Sequence, residues 1–216
     1  MGDLTYNTSR PASDVLLLMN VETIRRMKDS YERYSFKAHA AGVWSLEHIH
    51  AQNAEELTTA EQWKEWLTFH RAALAGLPGV DEDRRASLLM RVDEALSAVV
   101  KEQVFRALER ELTTVFTPDD DPADGDVHSI ANLALLDQRD NAALSNSVFE
   151  VKRRQVIERD KQGSYIPACT RNVFLKYYTD AEGQQIHFWS AADRQAYLAA
   201  IRDALEPYLQ AEELPA

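Results

Sequence analysis

The stretch "WSLEHIHAQN" at residues 44–53 places two histidines two positions apart, with a glutamate directly before the first. An imidazole suits the role of general base because its pKa lies near neutrality, while carboxylate and amide oxygens suit Mg²⁺. Hydrolysis of a phosphodiester needs a base for water, a metal ion that stabilises charge at phosphorus, and a group that orients the base. Taken in isolation, however, His48 is more simply an ordinary strand histidine.

Further candidates lie downstream, in "VHSIANLALL" and in "DQRDNAALSNSVFEVKRRQVIERDK". The first stretch predicts a second strand over 127–136, and the second predicts one helix over about 140–161. Strand, loop, strand and helix is the order of a small ββα unit, which can hold one divalent ion between its first strand and its helix. His48 lies on the first strand of this unit, and Asn132 and Asn141 follow on the later elements.

The combination "EHIxxQN" and "NLxLLxxxxNxxLSNxxFxxKR", with the ending "FLKYYTDAEGQQIHFWSAADRQAYLAAI", is specific. Together with "LLLMNVETI" near the start, it resembles the C-terminal nuclease domain of GmrSD-type modification-dependent restriction enzymes, which belongs to the HNH, or His-Me finger, superfamily. The resemblance covers nearly the whole chain, and 54–126 is its least marked part. It implies an α+β fold that is predominantly α-helical, with a small ββα-metal core embedded among helices.

The resemblance also implies a role for each matching residue. His48 is expected to be the general base, Asn132 to brace the loop and the base, and Asn141 to bind Mg²⁺ or Mn²⁺. Glu47 is expected to share this metal ion, although neighbours on a regular strand point to opposite faces. The predicted catalytic set is therefore His48, Asn132 and Asn141, and the predicted metal ligands are Glu47 and Asn141.

Five residues are predicted to contact DNA: His50, Asn146, Lys152, Arg153 and Arg159. On one continuous helix, Asn141, Lys152 and Arg159 fall within about 20° of one another, which would align cations with the metal site. Two carboxylates interrupt this basic run, so an ordinary solvated helix face is an equal alternative. His50 shares a strand face with His48, and a purely structural role for it is left open.

Composition narrows the class of protein. The chain has 216 residues, a formal net charge of −11 and one cysteine, Cys169, which excludes an internal disulfide and a cysteine-based zinc site. Asp137 and Asp140 stand where zinc-bearing relatives carry cysteines. No apolar run approaches the roughly 18 residues of a membrane span, and no signal peptide is visible, so we expect a cytoplasmic protein. The acidic charge argues against a surface broadly adapted to nucleic acid.

We expect one nuclease domain over residues 1–216. Its predicted parts are a helical lead-in at 1–42, the ββα core at 43–53 and 127–161, a helical insert at 54–126, and a C-terminal helical cap at 162–216. The longer helices are predicted at about 14–34, 54–75, 82–116 and 191–209, with a short one at 170–178. The family's N-terminal ParB-like nucleotide-binding domain is absent, which predicts either a fragment or a separate partner that senses DNA modification.

The predicted function is that of a metal-dependent endonuclease that nicks or cleaves DNA, including modified phage DNA, as the effector of a restriction or anti-phage system. The main alternative is a non-catalytic helical docking or regulatory module that keeps the nuclease fold, which the acidic charge favours. An RNA substrate is disfavoured only by the resemblance. The other histidines are predicted to be exposed or structural: His39, His70, His128 and His187. Of these, His128 is the least certain, because it starts the second strand.

Overall fold

The structure, a computed structural model, describes residues 4–29, 31–51, 57–117, 128–137, 142–179 and 186–209. These residues are mostly helical, and their only sheet has two antiparallel strands, so the predicted α+β class with a predominance of helix is confirmed. Within the same ranges, no helix combines the length and the apolar character that crossing a bilayer requires.

The described elements follow one another in a simple order. The strands are β1 (Trp44–His48) and β2 (Leu133–Asp137), and two short 3₁₀ turns cover Tyr6–Thr8 and Ile130–Asn132. The helices are α1 (Ser9–Arg26), α2 (Phe36–Ala40), α3 (Ala60–Ala75), α4 (Glu82–Leu96), α5 (Glu102–Val115), α6 (Ala142–Ser145), α7 (Phe149–Lys161), α8 (Ala168–Phe174) and α9 (Ala191–Leu209). The C-terminal helix therefore has the predicted bounds.

The sheet joins two strands that are far apart in sequence. In its antiparallel register Trp44 lies opposite Asp137, and His48 lies opposite Leu133. The strand β2 is buried from Leu133 to Leu136, because α1 and α8 pack on it, whereas β1 is only half-buried along its length. His48, at the end of β1, therefore lies at the edge of the buried core.

Two hydrophobic cores divide the described chain. The first surrounds the sheet and is built from α1, α7, α8 and α9, with large side chains such as Phe149, Phe174 and Trp189. The second lies among α3, α4, α5 and α6 and includes Trp63 and Trp66. The burial of these three tryptophans agrees with the prediction that they pack in the core. The predicted insert therefore builds a core of its own.

The prediction of a single helix over 82–116 is wrong, because α4 ends at Leu96 and α5 begins at Glu102. Ser97 terminates α4, and its hydroxyl donates a hydrogen bond to the Glu94 carbonyl over 2.7 Å. Hydrophobic periodicity continues across this break because both helices bury leucines in the second core. The pattern of apolar residues therefore cannot reveal the break.

The prediction of a single helix over about 140–161 is also wrong. The helix α6 ends at Ser145, α7 begins at Phe149, and the buried Ser147 donates a hydrogen bond to the Ala143 carbonyl over 2.7 Å. Because the helix is interrupted, the angular alignment of Asn141, Lys152 and Arg159 does not apply.

Other predicted bounds move by a few residues. The second strand begins at Leu133 rather than at 127, because the 3₁₀ turn precedes it. The helix α3 begins at Ala60 rather than at 54, since Thr59 and Gln62 form a capping box that fixes its start. The helix α1 covers Ser9–Arg26 rather than 14–34, and α8 covers Ala168–Phe174 rather than 170–178.

Candidate active site

His48 ends β1 and lies in a cluster of aromatic side chains. Its Nε2 is 3.1 Å from Nδ1 of His128, and the Tyr6 ring stacks on its imidazole with 4.7 Å between the ring centroids. The backbone fixes this arrangement, because the Tyr6 amide donates to the His128 carbonyl over 2.7 Å and Thr5 bridges to Ser129. The N-terminal segment thus holds both neighbours of His48 in place.

The surroundings of His48 favour its neutral form. Partial burial, together with the charges of Lys152 and His128, lowers the pKa of His48 to about 4. A neutral imidazole has one nitrogen that donates and one that accepts a hydrogen bond. At pH 7 His48 is therefore neutral, and its lowered pKa also makes it a weaker base than an ordinary histidine.

Asn132 links the end of β1 to the start of β2. Its Oδ1 accepts from the His50 amide over 3.1 Å, and its Nδ2 donates to the His50 carbonyl over 3.0 Å. Its own carbonyl accepts from the Ile49 amide over 2.7 Å. Because Asn132 is 3% exposed, these bonds are made away from water. One amide side chain therefore fixes the backbone that directly follows His48.

His50 is buried and its ring accepts a hydrogen bond from the backbone. The Phe149 amide donates to His50 Nδ1 over 3.2 Å, so the ring proton resides on Nε2, which has no hydrogen-bond partner among the described residues. Burial lowers the pKa of His50 to about 3 and keeps the ring neutral. This position favours the structural alternative for His50 over the predicted contact with DNA.

Lys152 connects α7 to the end of β1. Its side chain is 2% exposed, and its Nζ donates to the His48 carbonyl over 2.5 Å. A buried ammonium group requires hydrogen-bond acceptors to offset its loss of hydration. The first turns of α7 are therefore tied to the backbone carbonyl of His48 through Lys152 and to the side chain of His50 through the Phe149 amide. The predicted contact of Lys152 with phosphate stays a prediction.

The predicted metal ligands lie partly outside the described residues. Glu47 Oε1 accepts from the Ser45 hydroxyl over 2.9 Å, and strand alternation puts this pair on the face opposite His48. Asn141, the other predicted ligand, is among the residues that the structure does not describe. Over the described ranges, no group of three or more His, Cys, Asp and Glu side chains is placed to hold a metal ion. The carboxylate and amide oxygens of Glu47 and Asn141 do suit Mg²⁺ chemically.

The remaining predicted DNA contacts already have protein partners. Arg153 lies 3.7 Å from the buried carboxylate of Glu150, and Arg159 lies 3.8 Å from Asp137. The carbonyl of Asn146 accepts from Trp66 Nε1 over 2.9 Å. Because carboxylates partly neutralise both arginines, the positive potential of α7 is smaller than its sequence suggests.

The other histidines separate into structural ones and one that joins the site. Buried His70 donates from Nδ1 to the Trp66 carbonyl over 2.8 Å, as expected of a structural histidine, and His39 Nδ1 lies 3.0 Å from the Tyr34 hydroxyl. His187 Nδ1 lies 3.0 Å from Glu150. Only His128 contacts His48 directly, a role that we did not predict. Its place at the start of the predicted second strand was the one available signal, although the strand itself begins at Leu133.

Comparison with known proteins identifies no relative, since no family model, curated protein or solved structure matches this chain.

Proposed function

We propose that this chain is a metal-dependent DNA endonuclease of the HNH type, the effector part of a restriction or anti-phage defence system. One observation carries the proposal. Although residues 49–132 separate the two strands, the candidate base His48 and the candidate bracing residue Asn132 lie next to each other, linked through the backbone at Ile49 and His50. This is the juxtaposition that the resemblance requires of those two positions.

In the proposed reaction, neutral His48 takes a proton from a water molecule that attacks the phosphodiester in line. The new bond joins the water oxygen to phosphorus, the bond from phosphorus to the 3′ oxygen breaks, and the leaving oxygen acquires a proton. The products are a 5′-phosphate and a 3′-hydroxyl. A Mg²⁺ or Mn²⁺ ion held by Asn141 and Glu47 would supply charge stabilisation at the phosphate.

The tautomer of the His48–His128 pair decides which nitrogen of His48 can act as the base. When His48 Nε2 donates to His128 Nδ1, the His48 Nδ1 lone pair is available to accept a proton. The opposite tautomer would place a hydrogen on His48 Nδ1 and abolish its basicity. The stacked Tyr6 ring limits rotation of the imidazole about its side-chain bonds. His128 and Tyr6 are therefore positioning residues of the proposed reaction.

A plasmid assay tests the proposal. We expect the protein to nick supercoiled DNA with Mg²⁺ or Mn²⁺ but not with a chelator, and the change His48→Ala to slow nicking by at least about 10²-fold. Lys64→Ala is the control, because Lys64 is exposed on α3 in the helical insert. Equal nicking by the wild-type and His48→Ala proteins would exclude His48 as the base.

A non-catalytic docking or regulatory module is the second candidate. It is favoured by the net charge of −11 and by the carboxylates beside Arg153 and Arg159. This candidate predicts that the purified protein nicks neither modified nor unmodified DNA with any divalent ion. It further predicts that a ParB-like nucleotide-binding partner forms a complex that leaves the nicking rate unchanged.

A further inference from the structure

A group of aromatic rings lies at the beginning of β1, at the end opposite His48. Tyr34 and Phe36 meet edge to face at 5.2 Å, Tyr34 and Trp44 lie 5.7 Å apart, and Trp44 and Tyr165 lie 5.5 Å apart. We call these four side chains the aromatic surface. Tyr34 is buried beneath it, whereas Phe36 is 59% exposed and Tyr165 is 39% exposed. Aromatic side chains of this size are usually covered unless they contact a partner.

The protein itself satisfies the polar atoms of this surface. The Tyr165 hydroxyl donates to the Arg33 carbonyl over 3.1 Å and accepts from the Ser35 amide over 3.3 Å. The Tyr34 hydroxyl lies 3.0 Å from His39. Because these contacts hold the phenol groups, the exposed parts of the rings offer fixed apolar faces. Stacking of a ligand on these rings would therefore cost little side-chain entropy in the protein.

Charges of both signs lie in the segment that carries Tyr34 and Phe36, where Asp29 and Glu32 accompany Lys28, Arg33 and Lys37, and Glu32 pairs with Arg171 over 2.7 Å. Lys28 and Lys37 are exposed, and neither forms an ion pair with a carboxylate that the structure describes. By contrast, the neighbouring Arg25, Arg26 and Arg171 each bind a carboxylate. Apolar rings next to unpaired cations complement a ligand that has both flat bases and phosphates. An apolar protein partner would gain nothing from these lysines.

The location of the surface relates it to the proposed active site. Trp44 and His48 are the two ends of β1 and point to the same face of the strand. At about 3.3 Å per residue, they are separated by about 13 Å, which is the length of roughly four stacked base steps. Leu46 lies between them on that face and packs against the first core, so this distance is a separation along β1 and not a path for a bound strand.

We propose that the aromatic surface binds unpaired bases of a nucleic-acid strand, with Lys37 on the adjacent phosphates. The surface would then select single-stranded or locally opened DNA near the proposed site of cleavage. Only this consequence for cleavage rests on the proposed nuclease function. Binding by the surface is a separate property and can be measured without any reaction.

Fluorescence anisotropy of labelled oligonucleotides tests the proposal, with the His48→Ala protein and a chelator present so that nothing is cut. We expect tighter binding to a single strand than to the matching duplex, together with quenching of tryptophan fluorescence. Phe36→Ala should weaken binding by about 5- to 150-fold, the range for loss of one base stack. Lys37→Gln should lower the slope of log affinity against log salt by about 0.7. Comparing the affinities for a DNA strand and an RNA strand of the same sequence shows which of the two nucleic acids the surface prefers.

Matched controls lie on the exposed sides of α3 and α4, the helices that build the second core. Met90→Ala removes another exposed apolar side chain, 65% exposed on α4, and Lys64→Gln removes another exposed lysine, on α3. Neither change should alter binding. Equal loss in Phe36→Ala and Met90→Ala, or equal affinity for duplex and single strand, would overturn the proposal. If the wild-type protein binds the strand but does not nick DNA, the proposed binding surface is supported and the proposed nuclease function is contradicted. If the wild-type protein nicks DNA but Phe36→Ala leaves binding unchanged, the nuclease function is supported and the binding surface is contradicted.

Discussion

The change Asn132→Ala tests how the end of β1 is held. In the wild-type protein this side chain satisfies both the amide and the carbonyl of His50, at 3.1 and 3.0 Å. Alanine can do neither, while the bond from the Ile49 amide to the backbone carbonyl of residue 132 is retained. The change therefore removes the side chain that satisfies these two buried backbone groups.

The expected loss of stability follows from the number of groups left unsatisfied. Each buried polar group that loses its partner costs about 1–3 kcal/mol, so the two together cost about 2–6 kcal/mol. The total stability of a domain is about 5–15 kcal/mol, and the loss is therefore a large part of it. With a urea dependence of about 2 kcal/mol per molar, a loss of about 4 kcal/mol lowers the midpoint of unfolding by about 2 M.

Urea denaturation followed by circular dichroism measures this change. Asn172→Ala is a suitable control, because Asn172 is half-buried and donates one long bond of 3.5 Å to the Tyr178 hydroxyl. We expect Asn172→Ala to cost less than about 1 kcal/mol. If Asn132→Ala shifts the midpoint no more than Asn172→Ala does, the clamp at His50 contributes nothing and this reasoning is refuted.

Three further predictions concern buried charge and the histidine pair. Burial lowers the pKa of His70 to about 3 from an ordinary 6.5, so only the unfolded chain binds a proton there between these values. The free energy of unfolding should therefore rise with pH over this window, by up to about 1.4 kcal/mol per pH unit from this group. In the His70→Gln protein, the urea midpoints measured at pH 5 and at pH 7 should lie closer together than they do in the wild-type protein. Lys176→Met should cost about 3–5 kcal/mol in urea unfolding, since it leaves Asp193 buried without its cation, and a loss below 1 kcal/mol would contradict this. His128→Ala should lower kcat for nicking more than it raises KM, because it frees the ring of His48, and a change in KM alone would argue against positioning.

Local sequence signals predicted the ends of several elements. The last helix begins at residue 191 as predicted, and local contacts fix this start: the Asp193 amide donates to the Ser190 hydroxyl, and that hydroxyl donates to the Asp193 carboxylate. Strand alternation likewise indicated that Glu47 and His48 point to opposite faces, in agreement with the bond from Ser45 to Glu47. Such features depend on residues within a few positions of each other.

Features that depend on distant contacts were not predictable in this way. His128 meets His48 only because β2 pairs with β1 and because the N-terminal segment bridges to Ser129. The break between α6 and α7 also has a tertiary cause, since the Val148 amide donates to His70 Nε2 over 3.4 Å instead of continuing the helix. Neither contact leaves a local pattern in the sequence.

The helical insert therefore does more than separate the two strands. From α3, Trp66 donates to the Asn146 carbonyl and His70 accepts from the Val148 amide, so two buried side chains of the insert hold the backbone between α6 and α7. That backbone sets where α7 begins, and α7 carries Lys152 to the His48 carbonyl. A change in the second core at Trp66 should consequently reach His48 through α7, without touching the sheet. If the proposed function holds, Trp66→Phe, which keeps the ring but loses the bond to Asn146, should lower the nicking rate of the folded protein.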